Sequence, residues 1–263
     1  MVIPVLLFFD DGMREDLAVA DMLAKRKLKG VFGIPLKNIG TWLDKDDVLK
    51  LASVGEIASH SITHKNLVKL KRVSPSLVRR ELRYSKYILE KLVRKPIRTF
   101  IYPYGAYNAT VKRLVKETGY LFARTMDSFN TSLQNIIIHR YEAPRTLSHE
   151  RFDKYQIVRT ILNFNIKGEL SYWLFKESFP LNLVKSGDEQ LLWLNLILRL
   201  LKRIVIDPNR HKGKDLIIAL VFHSNAIFNN KDRISLFKDI LDFIANNLHI
   251  FKPLTVQDLI ARF

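Results

Sequence analysis

Short apolar runs alternate with amphipathic segments along most of this chain, and the links between them are short. The runs are Val2–Phe9, Val31–Ile34, Glu56–Ser59, Arg98–Tyr102, Tyr120–Thr125 and Leu216–Phe222. Between the first and second, Leu17, Ala20, Leu23 and Ala24 recur at helical spacing, with Gly30 as the expected stop. Asp44 is placed to cap a helix carrying Val48, Leu51 and Ala52 that ends at Gly55. Ser74-Pro75 opens a helix with the stripe Val78, Leu82, Leu89 and Leu92. A further helix is predicted over Ala109–Glu117, another over Asp232–Leu248, and Thr255 with Asp258 caps the last one. Strands that alternate with helices through short links build a mainly parallel sheet, either open or closed into a barrel.

In both architectures, catalytic groups collect at the carboxyl ends of the strands. Several chemistry-bearing residues fall there. Phe8-Phe9-Asp10-Asp11-Gly12 ends the first run, His60-Ser61-Ile62-Thr63-His64 follows the third, Pro103-Tyr104-Gly105 follows the fourth, and His223 follows the last. Neighbours on a strand point to opposite sides, so Asp10 and Asp11 cannot share a task unless the backbone turns, which Gly12 allows. His60 and His64 stand four apart and share one side if a helical turn holds them. With one carboxylate they make a two-histidine, one-aspartate set with open positions, suited to an ion such as zinc. Spacing does not assign which aspartate is ligand and which is base. His223 with a spare carboxylate completes an acid–base pair, and the chemistry permitted is metal-assisted hydrolysis. The chain has no cysteine, so disulfides and thiolate metal sites are excluded.

These residues resemble the polysaccharide deacetylases, the NodB-homology domain of carbohydrate esterase family four. The Asp-Asp-Gly stretch looks like the first motif and His60-Ser61-Ile62-Thr63-His64 like the second. Phe100-Ile101-Tyr102-Pro103-Tyr104-Gly105 looks like the third, and Val221-Phe222-His223 is similar to the last. The resemblance implies a single domain over 1–263 with a distorted (β/α) barrel, and removal of an N-acetyl group from an amino sugar. It implies Asp10 as general base, His223 as general acid, and Asp11, His60 and His64 as ligands of a divalent metal, usually Zn2+. The backbone N–H of Tyr104 would help stabilise the oxyanion. The sequence departs from the family pattern in three ways. Ile101 stands where an arginine often orients the base, and Arg145 resembles the Pro-Arg of the poly-N-acetylglucosamine deacetylase branch and is the expected replacement. The D-x-x-x-W motif is absent, which leaves Asp127 to tune His223. A helical insertion at about 149–215, with its clearest helix over Glu189–Ile206, has no counterpart.

The net charge is +17. From Lys65 to Arg98 twelve basic residues oppose two glutamates. A solvated helix face explains such a run, and its functional rival is contact with an anionic glycan or peripheral contact with an anionic membrane. Nucleic acid is disfavoured because no interleaved exposed aromatics are expected in the tract. The opening directly on the first strand leads to the expectation of a cytoplasmic protein, peripheral to the inner membrane face. The expected substrate is an amino-sugar glycan or a lipid-linked sugar. The rival readings are hydrolysis of a non-sugar amide or cyclic imide, and a non-catalytic basic module on the same fold.

Overall fold

The computed structural model describes residues 2–128, 133–145, 147–148, 188–206 and 216–262. Among these residues nine parallel strands form one curled sheet: β1 (Ile3–Phe9), β2 (Val31–Ile34), β3 (Glu56–Ser59), β4 (Thr99–Ile101), β5 (Phe122–Ser128), β6 (Ala143–Arg145), β7 (Leu147–Ser148), β8 (Ile218–Phe222) and β9 (Phe251–Leu254). The order is β6-β5-β4-β3-β2-β1-β8-β7, with β9 paired to the first half of β1. The two ends of the sheet, β6 and β7, are one residue apart in sequence. The sheet is therefore a curled half-barrel with helices around it, the distorted (β/α) barrel that the resemblance implied.

β1 is central: it pairs with β2, β8 and β9, and every residue in it is buried. Its alternation divides the core. Val5, Leu7 and Phe9 face the helix layer with Phe32, Phe222 and Phe237, while Leu6 and Phe8 face the barrel interior with Ala58, Ile101, Phe122, Ala219 and Val221. Extending the same parity past the strand ends puts Asp10, His60, Arg124 and His223 on the interior side.

The helices are α1 (Asp16–Lys25), α2 (Lys45–Val54), α3 (Leu67–Val73), α4 (Pro75–Val93), α5 (Ala109–Glu117), α6 (Leu133–Ile138), α7 (Glu189–Ile206), α8 (Ser224–Phe228), α9 (Lys231–Asn246) and a last one at Val256–Ile260. Asp44 and Thr255 each form a reciprocal capping box with the carboxylate three residues on. α1 stops five residues before Gly30, because Lys27 itself takes the left-handed conformation and turns the chain. Of the insertion expected at 149–215, residues 149–187 and 207–215 lie outside the described residues. α7 packs its apolar face, including Trp193, Leu194, Ile197 and Leu201, against α9 in the main core, and Arg233 of α9 pairs with Asp188 at 2.8 Å.

A short helix, α3, precedes α4 in the basic tract. One expectation about that tract changes. The outward face of α4 carries exposed aromatics, with Tyr84 51% and Tyr87 56% exposed. A helical stripe hidden from the core is invisible to a count of residue types, which is why these tyrosines escaped the sequence. Among the described residues no helix is long and apolar enough to cross a membrane.

Candidate active site

The carboxyl ends of β1, β3, β4, β5 and β8 bring their polar side chains into one cluster. Asp10 continues β1, and its N–H donates to Phe222 C=O at 3.1 Å. Asp11 then takes φ 77° and Gly12 φ 57°. This reverses the strand's alternation and swings the second carboxylate inward beside the first. A left-handed aspartate costs free energy and needs neighbours to hold it. Buried Asn38, after β2, does so by donating from Nδ2 to Asp11 C=O at 2.6 Å.

The His60–His64 segment is a loop rather than a helical turn. Ser61 (φ 70°) and His64 (φ 56°) are both left-handed, and the loop is tied on three sides. The Ile62 and Thr63 N–H groups donate to Glu81 Oε2 at 2.8 and 2.9 Å, and the Thr63 hydroxyl donates to Oε1 at 2.7 Å. Ser61 Oγ accepts from His64 N–H at 3.0 Å. Leu36 and Lys37 N–H donate to the Ser61 and Ile62 carbonyls. Glu81 is 7% exposed, so one of the two acidic residues of the basic tract is spent inside the protein.

His60 Nδ1 lies 2.8 Å from Ile101 C=O. That contact requires the proton on Nδ1 and turns the Nε2 lone pair toward Asp11. There, His60 Nε2 and His64 Nε2 stand 2.9 Å apart and lie 3.3 and 3.1 Å from Asp11 Oδ1. His223 Nε2 faces the other oxygen, Oδ2, at 3.3 Å. Burial raises the Asp11 pKa, but hydrogen bonding to His223, His60 and His64 outweighs it and holds the carboxyl well below the usual range. An anionic carboxylate and two imidazole nitrogens meeting at one point form a donor set that fits a divalent ion of the zinc type.

Asp10 sits alongside, 4% exposed, with Oδ2 accepting from Arg124 Nη2. Its other oxygen, Oδ1, is buried and meets no donor among the described residues. Arg124 is 1% exposed; its guanidinium lies 5.1 Å from the Phe8 ring, and Nη1 donates to Thr125 C=O. The sequence did not single out Arg124. A lone arginine at interior parity in the apolar run Phe122-Ala123-Arg124 was the available signal, since a buried charge needs a partner. Arg145 lies on β6 and Asp127 on β5, and the side chains of both fall outside what is described.

Tyr104 lies in a tight turn, Pro103–Gly105, with φ 59°. Its ring packs against His64 at 4.9 Å and is 63% exposed, so it stands at the outer edge of the cluster. Of the six left-handed non-glycine residues among those described, four, Asp11, Ser61, His64 and Tyr104, belong to this one site. Behind it, Asp16 is fully buried and accepts from Met13 N–H at 3.0 Å; burial pushes its carboxyl up to about 7.

The family model described as polysaccharide deacetylase matches residues 3–123. The fold is similar to the Xyl-CE4 domain of a multidomain xylanase from the hindgut metagenome of Trinervitermes trinervoides. That pair shares 18% identity at a TM-score of 0.54, over 100% of this chain and 91% of that one. It is also similar to a family 4 carbohydrate esterase from Bacillus anthracis, at 15% identity and TM-score 0.54, over 100% of this chain and 84% of the other. A Streptococcus pyogenes deacetylase in complex with acetate aligns at 21% identity and TM-score 0.49, over 54% of this chain and 62% of its own length. No curated protein matches the chain.

Proposed function

Since residues 3–123 match the polysaccharide deacetylase family model, we propose that the chain hydrolyses the N-acetyl group of an amino sugar within a glycan, an oligosaccharide or a lipid-linked sugar. The observation that carries this reading is the meeting of Asp11, His60, His64 and His223 around one carboxylate, with Asp10 anchored beside them by Arg124.

Asp11, His60 and His64 would hold the divalent ion, most simply Zn2+. Lewis acidity is what a bound ion supplies here, to the acetamide carbonyl and to the attacking water. Asp10 is the general base. Arg124 takes up Oδ2 and keeps Oδ1 directed to the proton it removes. His223 is the general acid that protonates the leaving nitrogen, on the far side of Asp11 from the two ligand histidines. The Tyr104 N–H donates to the developing oxyanion, and the exposed ring offers a face on which a sugar can stack. Arg124 does the work expected of the arginine that Ile101 replaces. Arg145, the replacement expected from the sequence, has its side chain outside what is described.

The test is acetate release from short chito-oligosaccharides, N-acetylated sugar nucleotides and lipid-linked amino sugars, with zinc added. Release from one of these classes, abolished by Asp10→Asn with zinc still bound, is the expected result. A metal-replete protein that leaves every acetylated sugar intact and opens a cyclic imide or another amide would overturn it. So would a protein that takes up no metal.

A further inference from the structure

The solvent face of α4 carries a single stripe, Leu77, Arg80, Tyr84, Tyr87 and Lys91, at alternating spacings of three and four residues, and Arg94, the left-handed C-cap, follows it. That spacing keeps one line along a helix. Leu77 is 39% exposed and both tyrosines more than half, and Val73, at the end of α3, is 78% exposed. Among the described residues no acidic group pairs with these cations: Arg80, Lys91 and Arg94 make no ion pair there, and neither does the neighbouring Arg83. The tract's two acids are turned to other tasks, Glu81 in the His60–His64 loop and Glu90 with Lys86 and the Ile97 N–H. Beside the stripe runs a groove of about 480 Å³ between α4 and the segment from Leu36 to Lys45 that leads into α2. Its walls are Leu36, Ile39, Ile88 and Leu92, with Lys45 and Lys91 at its rim.

Unpaired cations, tyrosines and aliphatic side chains on one convex helix face combine the two attractions of an anionic lipid surface. The cations meet phosphate headgroups, and the apolar groups leave water at the headgroup–acyl boundary. A single nucleic-acid strand is fitted less well, because it is held in a concave track and gives Val73 and Leu77 nothing to bury against. We propose that the α4 face, with the groove beside it, docks the protein on an anionic lipid bilayer, the groove taking a hydrocarbon chain. α4 follows the catalytic end of β3, so Val73 and Leu77 lie at the end of the barrel where the site opens. Docking there brings the site close to the lipid surface. This does not rest on the chemistry of the metal centre: docking and deacetylation can fail separately.

The experiment is co-sedimentation of the full chain with vesicles of phosphatidylcholine alone and vesicles that also contain phosphatidylglycerol. Binding is expected only to the second kind and should weaken as salt rises. Arg80→Glu/Arg83→Glu/Lys91→Glu should lower partitioning by on the order of a hundredfold or more. Leu77→Ser/Tyr84→Ser/Tyr87→Ser should also lose binding, while Leu248→Ser, a change at an exposed leucine after α9, should bind as the parent does. Thermal melts of each variant separate lost docking from lost folding. Equal binding to neutral vesicles, no binding to either, or full binding by the Leu77/Tyr84/Tyr87 variant overturns the proposal. Tighter binding of a single-stranded oligonucleotide than of vesicles assigns the face to nucleic acid and overturns it too. So does self-association that the stripe variants abolish, which would assign the face to a second copy of the chain.

Discussion

Asp10 and Arg124 form a nearly dry ion pair between β1 and β5, above the Phe8 ring. Such a pair gains little over two apolar groups, because both ions lost their water, but removing one partner strands the other. Arg124→Met should therefore cost about 3–5 kcal/mol in denaturant unfolding. The double change Asp10→Asn/Arg124→Met should recover much of that loss, because no uncompensated charge is left. If the two effects simply add, the pair is not coupled in the way the geometry states. Turnover gives an independent reading at the same residues. Asp10→Asn should abolish acetate release with zinc content unchanged. Arg124→Lys, which keeps the charge and loses the planar fork, should lower kcat with little change in KM. Equal loss of zinc in either variant would mean that Asp10 and Arg124 build the metal site rather than act beside it.

At the scale of elements, the loop His60–His64 depends on α4 through Glu81, which accepts three hydrogen bonds from it. Glu81→Gln keeps size and shape but exchanges an acceptor for a donor facing that loop. Zinc affinity should fall about 10- to 100-fold, as for other groups that orient metal ligands, with the melt little changed. Unaltered affinity in a competition titration would reduce Glu81 to a fold-stabilising residue. Gly105 is a second support: it has φ 62°, and a Cβ there would lie 2.5 Å from the Met126 backbone nitrogen. Gly105→Ala should displace Tyr104 and raise KM more than it lowers stability. The loop also marks how far the sequence could be read. Apolar runs and capping residues gave β2, β3, α5 and α7 to the residue, because burial and caps are local properties. The four-residue histidine spacing pointed to a shared site but suggested a helical turn. What holds the imidazoles together instead is a pair of left-handed residues stabilised by Glu81, twenty or so positions away, and no local pattern encodes that. For Arg124 the local pattern signals a buried charge but not its partner, which lies on a strand 114 residues earlier. β6 and β7 are three and two residues long, too short for an alternation to register.

Across the whole molecule, the barrel interior is a column with charged groups at both ends and an apolar middle. The catalytic end holds Asp10, Arg124 and His223, and Leu6, Phe8, Ala58 and Val221 fill the centre. At the opposite end Glu56 is 5% exposed and accepts from the Thr99 hydroxyl and from the Gln257 N–H at 2.9 Å. Burial pushes its carboxyl from 4.5 up to about 7, against the lowering effect of the hydrogen bonds from Thr99, Gln257 and Val256. Glu56 is far from the metal ligands, so its effect on stability can be read apart from metal binding. Below pH 4.5 the carboxyl is protonated in both folded and unfolded chains, and the protein has this group's full contribution. As pH rises from 4.5 towards 7 the unfolded chain releases the proton first, so stability is lost across that window, by on the order of 3 kcal/mol in total. Above about 7 both states are charged and the loss is complete. Glu56→Gln cannot titrate, and Gln can still accept from the Gln257 N–H while Thr99 turns its hydroxyl to receive the amide. The difference between parent and variant melting temperatures, measured from pH 4 to pH 8, should therefore shift steadily in favour of the variant between 4.5 and 7 and level off beyond. Parallel profiles would mean that Glu56 is already charged in the folded protein at pH 5, its hydrogen bonds outweighing its burial.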